Sequence, residues 1–437
     1  MEPASDAHVG GPRSERPISD PYDAGVGNEE EIDAREIPQA ARFQAMAGLR
    51  IVVAGLIVVF HAASSGAGTG LDADAGVGAI FSLLDVGVPI FFVLSGFLLY
   101  RPMVQARLTG TPRKSMGRYG WHRFRRIAPA YWVVLFTAAA LGHAELGTGS
   151  QPWRIAGFLQ IYDPILFTAG LVVAWSLCTE VAFYVYLPVH DRVMSRTKGS
   201  PAKRALGEWV ACGVLILISL VFKIWMYSSG ELSRSAYLPR YIDAFAVGMA
   251  FAILSVVESN RRGSGRIFET VRKLGALPWA AAGGLIFLLS LHTFPAYPDA
   301  PAAWESIGRD LVKVIVAGLV VLPLVVDREA EAPLGAFLAQ RPLRFWGELS
   351  FGVFLIHLPL LGWIQDQMDQ PAELLPTLWL AIVAFLASSA LALVLYLVVE
   401  RPMQRLEPFA GPAGERRSAR KRATDVVADG QPDGQLS

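Results

Sequence analysis

A chain of 437 residues that is 53% hydrophobic but only 18% charged, with a mean hydropathy of +0.39, is too apolar for an ordinary water-soluble domain. Basic residues (39) and acidic residues (38) almost cancel, which leaves no basic field for nucleic acid, and the two cysteines, Cys178 and Cys212, supply neither a disulfide framework nor a metal-ligand spacing. The expected fold is an all-α, polytopic helical bundle, placed as a multi-pass protein in the cell membrane.

Residues 1–42 are rich in Gly, Pro and acidic side chains and have no apolar core, so they read as a disordered cytoplasmic tail and not a secretory leader. A membrane span needs about 20 mostly apolar residues. Such runs recur about ten times, near 43–64, 83–100, 127–141, 171–188, 208–227, 237–257, 277–294, 307–326, 348–364 and 375–399, and define a membrane domain over 43–406. The segment 153–170, "WRIAGFLQIYDPILFTAG", is apolar enough to cross, but a crossing there reverses every later loop. It is expected to lie at the outer face or to re-enter, where it could roof a site. Residues 407–437 form a second polar tail, with a basic cluster at 416–422 that suits anionic lipid headgroups. Lysine and arginine concentrate in the loops 101–126, 192–204 and 261–273, whereas 66–82 and 365–374 have none. Both termini are therefore expected in the cytoplasm.

Polar residues inside the apolar runs carry the functional signal. In "GLRIVVAGLIVVFHAAS", 48–64, Arg50 and His61 share one helix face. About three turns, or about 16 Å, separate them. An arginine near the membrane edge can snorkel; a histidine deeper in cannot. Arg123 and Arg126 begin the third run at i and i+3, a spacing at which two guanidinium forks suit phosphate oxygens. Asp85 lies at an outer edge, Ser95 and Gly96 form a small-residue notch, Glu180 sits inside the fourth run between Trp175 and Tyr184, and His357 lies in the ninth. Arg240 and Asp243, three apart, are placed to pair. Each has a structural alternative: a snorkelling anchor, a positive-inside flank, a packing notch, a closed ion pair. Together they suggest an interior polar chamber. Helices with interior charges also describe a transporter or flippase, although neither an internal repeat nor paired broken helices is evident.

Five stretches in this order, "GLRIVVAGLIVVFH", "FFVLSGFLLYRP", "RFRRIAPAYW", "WSLCTEVAFY" and "SFGVFLIHLPL" with the closing "VERP", resemble the membrane acyltransferase-3 family. That family moves acyl groups onto hydroxyls of carbohydrates, lipids or natural products. The resemblance implies that His61 is the catalytic histidine, that Arg50, Arg123 and Arg126 serve acyl-donor binding, and that Trp175, Ser176 and Glu180 belong to the site wall. Ser95 and Gly96 are expected to let the donor pass close to the backbone, with Asp85, Tyr184, Arg240, Asp243 and His357 as further wall or support. Two departures stand out: Ala47 replaces an aspartate common before Gly-Leu-Arg, and Val181 replaces the second of two adjacent acids. The expected chemistry is transfer of an acyl group, acetyl in the simplest case, from acyl-CoA to a glycan, glycolipid or small-molecule hydroxyl. His61 acts as general base and Glu180 orients its ring. No bound cofactor, metal or nucleic acid is expected, and membrane lipids are the surrounding partners. The competing expectation is a transporter or flippase without acyl chemistry.

Overall fold

The computed structural model describes residues 43–64, 76–111, 115–259, 266–292, 302–326, 332–367 and 374–406. Both expected tails lie outside these residues, as do parts of the loops in which the basic residues were counted.

The described chain is helical, with no strand among the described residues. In order run α1 (Gln44–Ser64), α2 (Gly87–Thr109), α3 (Met116–Ala140), α4 (Ala174–Met194), α5 (Pro201–Ser229) and α6 (Leu238–Ser259). Then come α7 (Arg266–Leu274), α8 (Leu277–Ser290), α9 (Ala303–Val326), α10 (Arg341–Asp366) and α11 (Leu374–Leu395), which continues through a π-helical turn, Tyr396–Glu400, to the short helix Arg401–Arg405. Local chemistry sets several ends. Ser115 and Ser200 cap α3 and α5 by accepting from the backbone N–H of Arg118 and Lys203. Gly110 and Gly230 end α2 and α5 in the left-handed conformation, at φ 75° and 73°.

Every expected span falls on a helix, but several helices run further than the apolar stretch that announced them. α2 continues past Tyr100 to Thr109, and α3 begins at Met116, well before Ile127. The extensions carry basic residues that can sit beyond the hydrocarbon while the backbone stays hydrogen-bonded. By length and apolarity alone six helices suit a membrane crossing, or up to seven if the α7–α8 pair, bent by 61°, counts as one span. The long helices outside that group are α3, α4 and α9, whose sequences include Arg123 and Arg126, Glu180 and Asp191, and Asp310 and Lys313. The segment expected at the outer face does not form a spanning helix. It folds as the short helix Gln151–Ala156, a 3-10 turn Gln160–Tyr162 and further turns. α3 pins it: Tyr131 donates to the Ile155 carbonyl at 2.9 Å and the Trp132 indole N–H to Ala156 at 2.9 Å.

Two close helix contacts build the centre. At Gly96 and Gly248 the place of a β-carbon is taken by the backbone of Phe245 and Val93, so α2 and α6 pack main chain to main chain. Phe92 and Phe183 stack on Phe245 at 4.6 and 4.0 Å. At Gly347 the Ala47 carbonyl fills the same place, joining α10 to α1. The contacts Arg344 to Gln44, Gly347 to Ala47 and His357 to His61 occur in the same order along both helices, so α1 and α10 run parallel. The same argument makes α2 parallel to α6, through Phe92–Tyr241, Gly96–Phe245 and Arg101–Ser255.

Gly248→Ala should therefore force the α2–α6 contact apart and destabilise the protein by about 1–3 kcal/mol. Gly213→Ala on α5, where a β-carbon meets nothing, should leave stability unchanged or slightly raised. Melting temperatures of the two variants in one detergent provide the comparison.

Candidate active site

Polar side chains gather in two groups along α1. The first surrounds Arg50, whose electrostatic neighbours are Arg126, Glu180, Tyr184 and Arg123. α3 supplies the arginines and α4 the acid and the phenol. Arg123 and Arg126, at i and i+3 on α3, both act electrostatically on Arg50, while Arg125 between them donates to the Leu406 carbonyl at 2.6 Å. Arg123 lies over the Tyr184 ring at 5.9 Å, and its buried Nε has no hydrogen-bond partner among the described residues. Glu180 accepts from Ser95 Oγ at 2.5 Å and from Tyr184 Oη at 2.6 Å, which ties α4 to α2. Three guanidiniums thus gather around Glu180, and two of them, Arg50 and Arg126, repel each other.

Glu400, from the π-helical turn, is 4% exposed and acts electrostatically on Arg126. Sequence reading missed it as a site residue. The signal was present in "VVERP", an acid closing an apolar run.

The second group lies towards the other end of α1. The imidazole of His61 is half-buried, with Nδ1 3.0 Å from the Ile57 carbonyl oxygen and 3.0 Å from Nε2 of His357. His357 is fully buried on α10. The ring partner of His61 is therefore a second histidine. Glu180, expected to orient that ring, makes its hydrogen bonds to Ser95 and Tyr184 instead, because its place on α4 turns it towards α2 and the arginines.

The remaining predicted residues occupy the surrounding wall. Asp85, in the 3-10 turn Leu84–Val86, pairs with Lys313 of α9 at 2.5 Å and acts electrostatically on His61. Trp175 packs on Tyr241 at 5.4 Å, and the buried Ser176 hydroxyl donates to the Val173 carbonyl at 3.2 Å. Gly96 does not border open space: the Phe245 backbone fills it, so the expected donor passage there gives way to helix packing. Arg240 and Asp243 do not pair. Arg240 holds Asp310 through two nitrogens at 2.9 and 3.0 Å, and Asp243 pairs with Lys223 of α5. Across helices Arg240 reaches both oxygens of Asp310, and such two-point contact helps repay the desolvation cost of a buried pair. Lys223, Asp310 and Lys313 went unnoticed in sequence, although each interrupts an apolar helix.

With this geometry in view, comparison with known proteins defines the class. Residues 43–397 match the family described as an acyltransferase domain, and the chain belongs to that family. It is an integral membrane protein. Among curated proteins it is 26% identical over 339 residues to YrhL of Bacillus subtilis (strain 168), whose name marks it as a provisional peptidoglycan O-acetyltransferase. It is 24% identical over 335 residues to the peptidoglycan O-acetyltransferase OatA of Listeria monocytogenes. These matches cover 73% of this chain but only 50% and 51% of the two relatives, so the chain spans about half their length. Nodulation protein 10 of Rhizobium leguminosarum is 22% identical over 369 residues, 73% of this chain and 82% of that protein. No solved structure matches.

The Lys223–Asp243 pair, with side chains 1% and 3% exposed, gives a direct test of the pairing. Lys223→Met strands a buried carboxylate and should cost about 3–5 kcal/mol, whereas Lys223→Met with Asp243→Leu should recover most of the loss. Thermal unfolding in detergent reads both. Equal melting of the two variants would contradict the pairing.

Proposed function

We propose that the protein is a membrane O-acyltransferase that carries an acyl group, acetyl in the simplest case, from acyl-CoA to a hydroxyl of a cell-surface glycan such as peptidoglycan, with glycolipids and small molecules as further acceptor classes. The observation that carries this reading is the division of α1: three arginines and an unpartnered guanidinium N–H near Arg50, and a histidine pair at His61. Family membership and the names of the relatives support acyl chemistry over transport.

Ten crossings with both termini in the cytoplasm suit the arrangement. Seven crossings between α1 and α10, and three between α2 and α6, make each pair parallel, in line with the contacts between them; leaving out α3, α4 or α9 alone reverses the relation for one of the two pairs at least. On this topology Arg50, Arg123 and Arg126 face the cytosol, where acyl-CoA is made, and meet its phosphates by charge-assisted hydrogen bonds. The thioester end extends along α1 towards His61. There Nε2 of His61 takes the proton of the acceptor hydroxyl as its oxygen bonds to the thioester carbonyl carbon. The carbon–sulfur bond then breaks and the departing thiolate takes the proton back from the imidazolium. Glu180 holds Ser95 and Tyr184 in place and moderates the repulsion among the arginines.

His61→Ala should lower transfer by about 100- to 10,000-fold while the protein still inserts and elutes as wild type. Arg50→Ala, and Arg123→Ala with Arg126→Ala, should raise the KM for acetyl-CoA and change its salt dependence, since screening weakens phosphate contacts. The assay is acetyl transfer by purified protein, with mass spectrometry of surface glycans from cells with and without it to find the acceptor. Wild-type turnover by a folded His61→Ala protein overturns the base assignment, and uptake of an unmodified solute into vesicles without acyl transfer overturns the enzyme reading.

A further inference from the structure

The contact between His61 and His357 contains more information than a distance. A hydrogen bond between two neutral imidazoles needs an N–H on one ring and a lone pair on the other, and the remaining neighbours decide which is which. Nδ1 of His357 lies 3.2 Å from the Val353 carbonyl oxygen. A carbonyl oxygen only accepts, so this nitrogen carries the hydrogen, and Nε2 of neutral His357 is a bare lone pair. At the other ring, Nδ1 of His61 has two neighbours at 3.0 Å, the Ile57 carbonyl oxygen and that same Nε2 of His357. Both are acceptors. The hydrogen of His61 must therefore sit on Nδ1, shared between them, and Nε2 of His61 is left unprotonated.

We propose that His357 is a positioning residue that holds His61 in its Nδ1–H tautomer, so that Nε2 alone is presented as the proton acceptor. This rests on the reading of His61 as general base and adds to it the group that sets the base's orientation. Ile57 belongs to the same helix one turn back and turns with it; His357 comes from another helix, so it fixes ring rotation as well as tautomer. When Nε2 takes a proton, the Nδ1–H···Nε2 bond to His357 becomes charge-assisted and strengthens. Support that grows as the reaction proceeds is the kind that accelerates it. In histidine-dependent enzymes this place is often held by a carboxylate. A neutral imidazole does the same work without burying a permanent negative charge in the bundle, and the one acid first expected here, Glu180, is engaged by Ser95 and Tyr184. The rigidity needed comes from the main-chain contact of Gly347 with Ala47, which locks α10 to α1.

Two substitutions separate positioning from packing. Glutamine in His357→Gln places a carbonyl oxygen near the site of Nε2 and still accepts; leucine in His357→Leu fills similar space and accepts nothing. Purified protein labelled with [15N]histidine, the His61 signals assigned by their loss in His61→Ala, reports the tautomer by NMR without any need for turnover. Wild type and His357→Gln should show His61 protonated at Nδ1 only, and His357→Leu a mixture. In transfer assays His357→Leu should lose roughly 10- to 100-fold in kcat, as loss of an orienting partner typically does, with the KM for acetyl-CoA unchanged and with substantial recovery in His357→Gln. A wild-type His61 protonated at Nε2, or a monodisperse His357→Leu with wild-type kcat, overturns the proposal. Should His357→Leu fail to fold, the wild-type tautomer and the His357→Gln turnover still decide: a folded His357→Gln no more active than His61→Ala counts against it. Failure of the base reading looks different, as full turnover in His61→Ala whatever the tautomer.

Discussion

The close parallel contact between α1 and α10 is the constraint on which the rest of the arrangement depends. Gly347 lets the Ala47 carbonyl approach where a side chain would stand, and the helices stay near enough for His61 and His357 to share a hydrogen at 3.0 Å. Were α10 farther off, the imidazole of His61 would keep only Ile57 of its own helix as a partner. One missing methyl group thus sets the geometry of a ring pair several turns away.

A second physical rule, that polar groups removed from water must find partners, explains most of what surrounds this axis. Lys313 with Asp85, Arg240 with Asp310 and Lys223 with Asp243 each join different helices, so charges that are costly singly become cross-links. Elsewhere Tyr100 contacts His190 and Glu208, and Arg107 meets Glu208 and Asp191, which fastens α2, α4 and α5 together. Satisfaction is not complete: among the described residues Arg107 Nη2, Glu400 Oε1 and Arg123 Nε are buried without a hydrogen-bond partner, and of these Arg123 belongs to the cluster around Arg50.

Much of this was readable in the chain. Apolar runs located the helices because lipid punishes any other backbone, and the i, i+3 spacing put Arg123 and Arg126 on one face of α3, while their nearness to Arg50 comes from helix packing. The segment 153–170 was legible as something other than a span, since a crossing there reverses every later loop, and it folds as short helices and turns. Partnerships were not legible. Arg240 looked made for Asp243 because periodicity reveals only neighbours on one helix, whereas Asp310 lies seventy residues on and meets it through the packing of α6 on α9. Glu180 was expected on His61 for a similar reason: sequence shows that two groups lie within the membrane, not which helix faces they occupy. His357 was visible as an intramembrane histidine, but its orientation towards His61 depends on the α1–α10 contact.

The histidine pair also bears on how the protein is made. Its two members are separated by 296 positions along the chain, with eight labelled helices between the elements that carry them. A ribosome that has released α1 into the bilayer has delivered one imidazole, which waits for its companion until α10 has been threaded as well. The ring pair thus forms only after eight further helices have followed α1, and a product terminated before α10 lacks it even when every earlier helix is properly inserted.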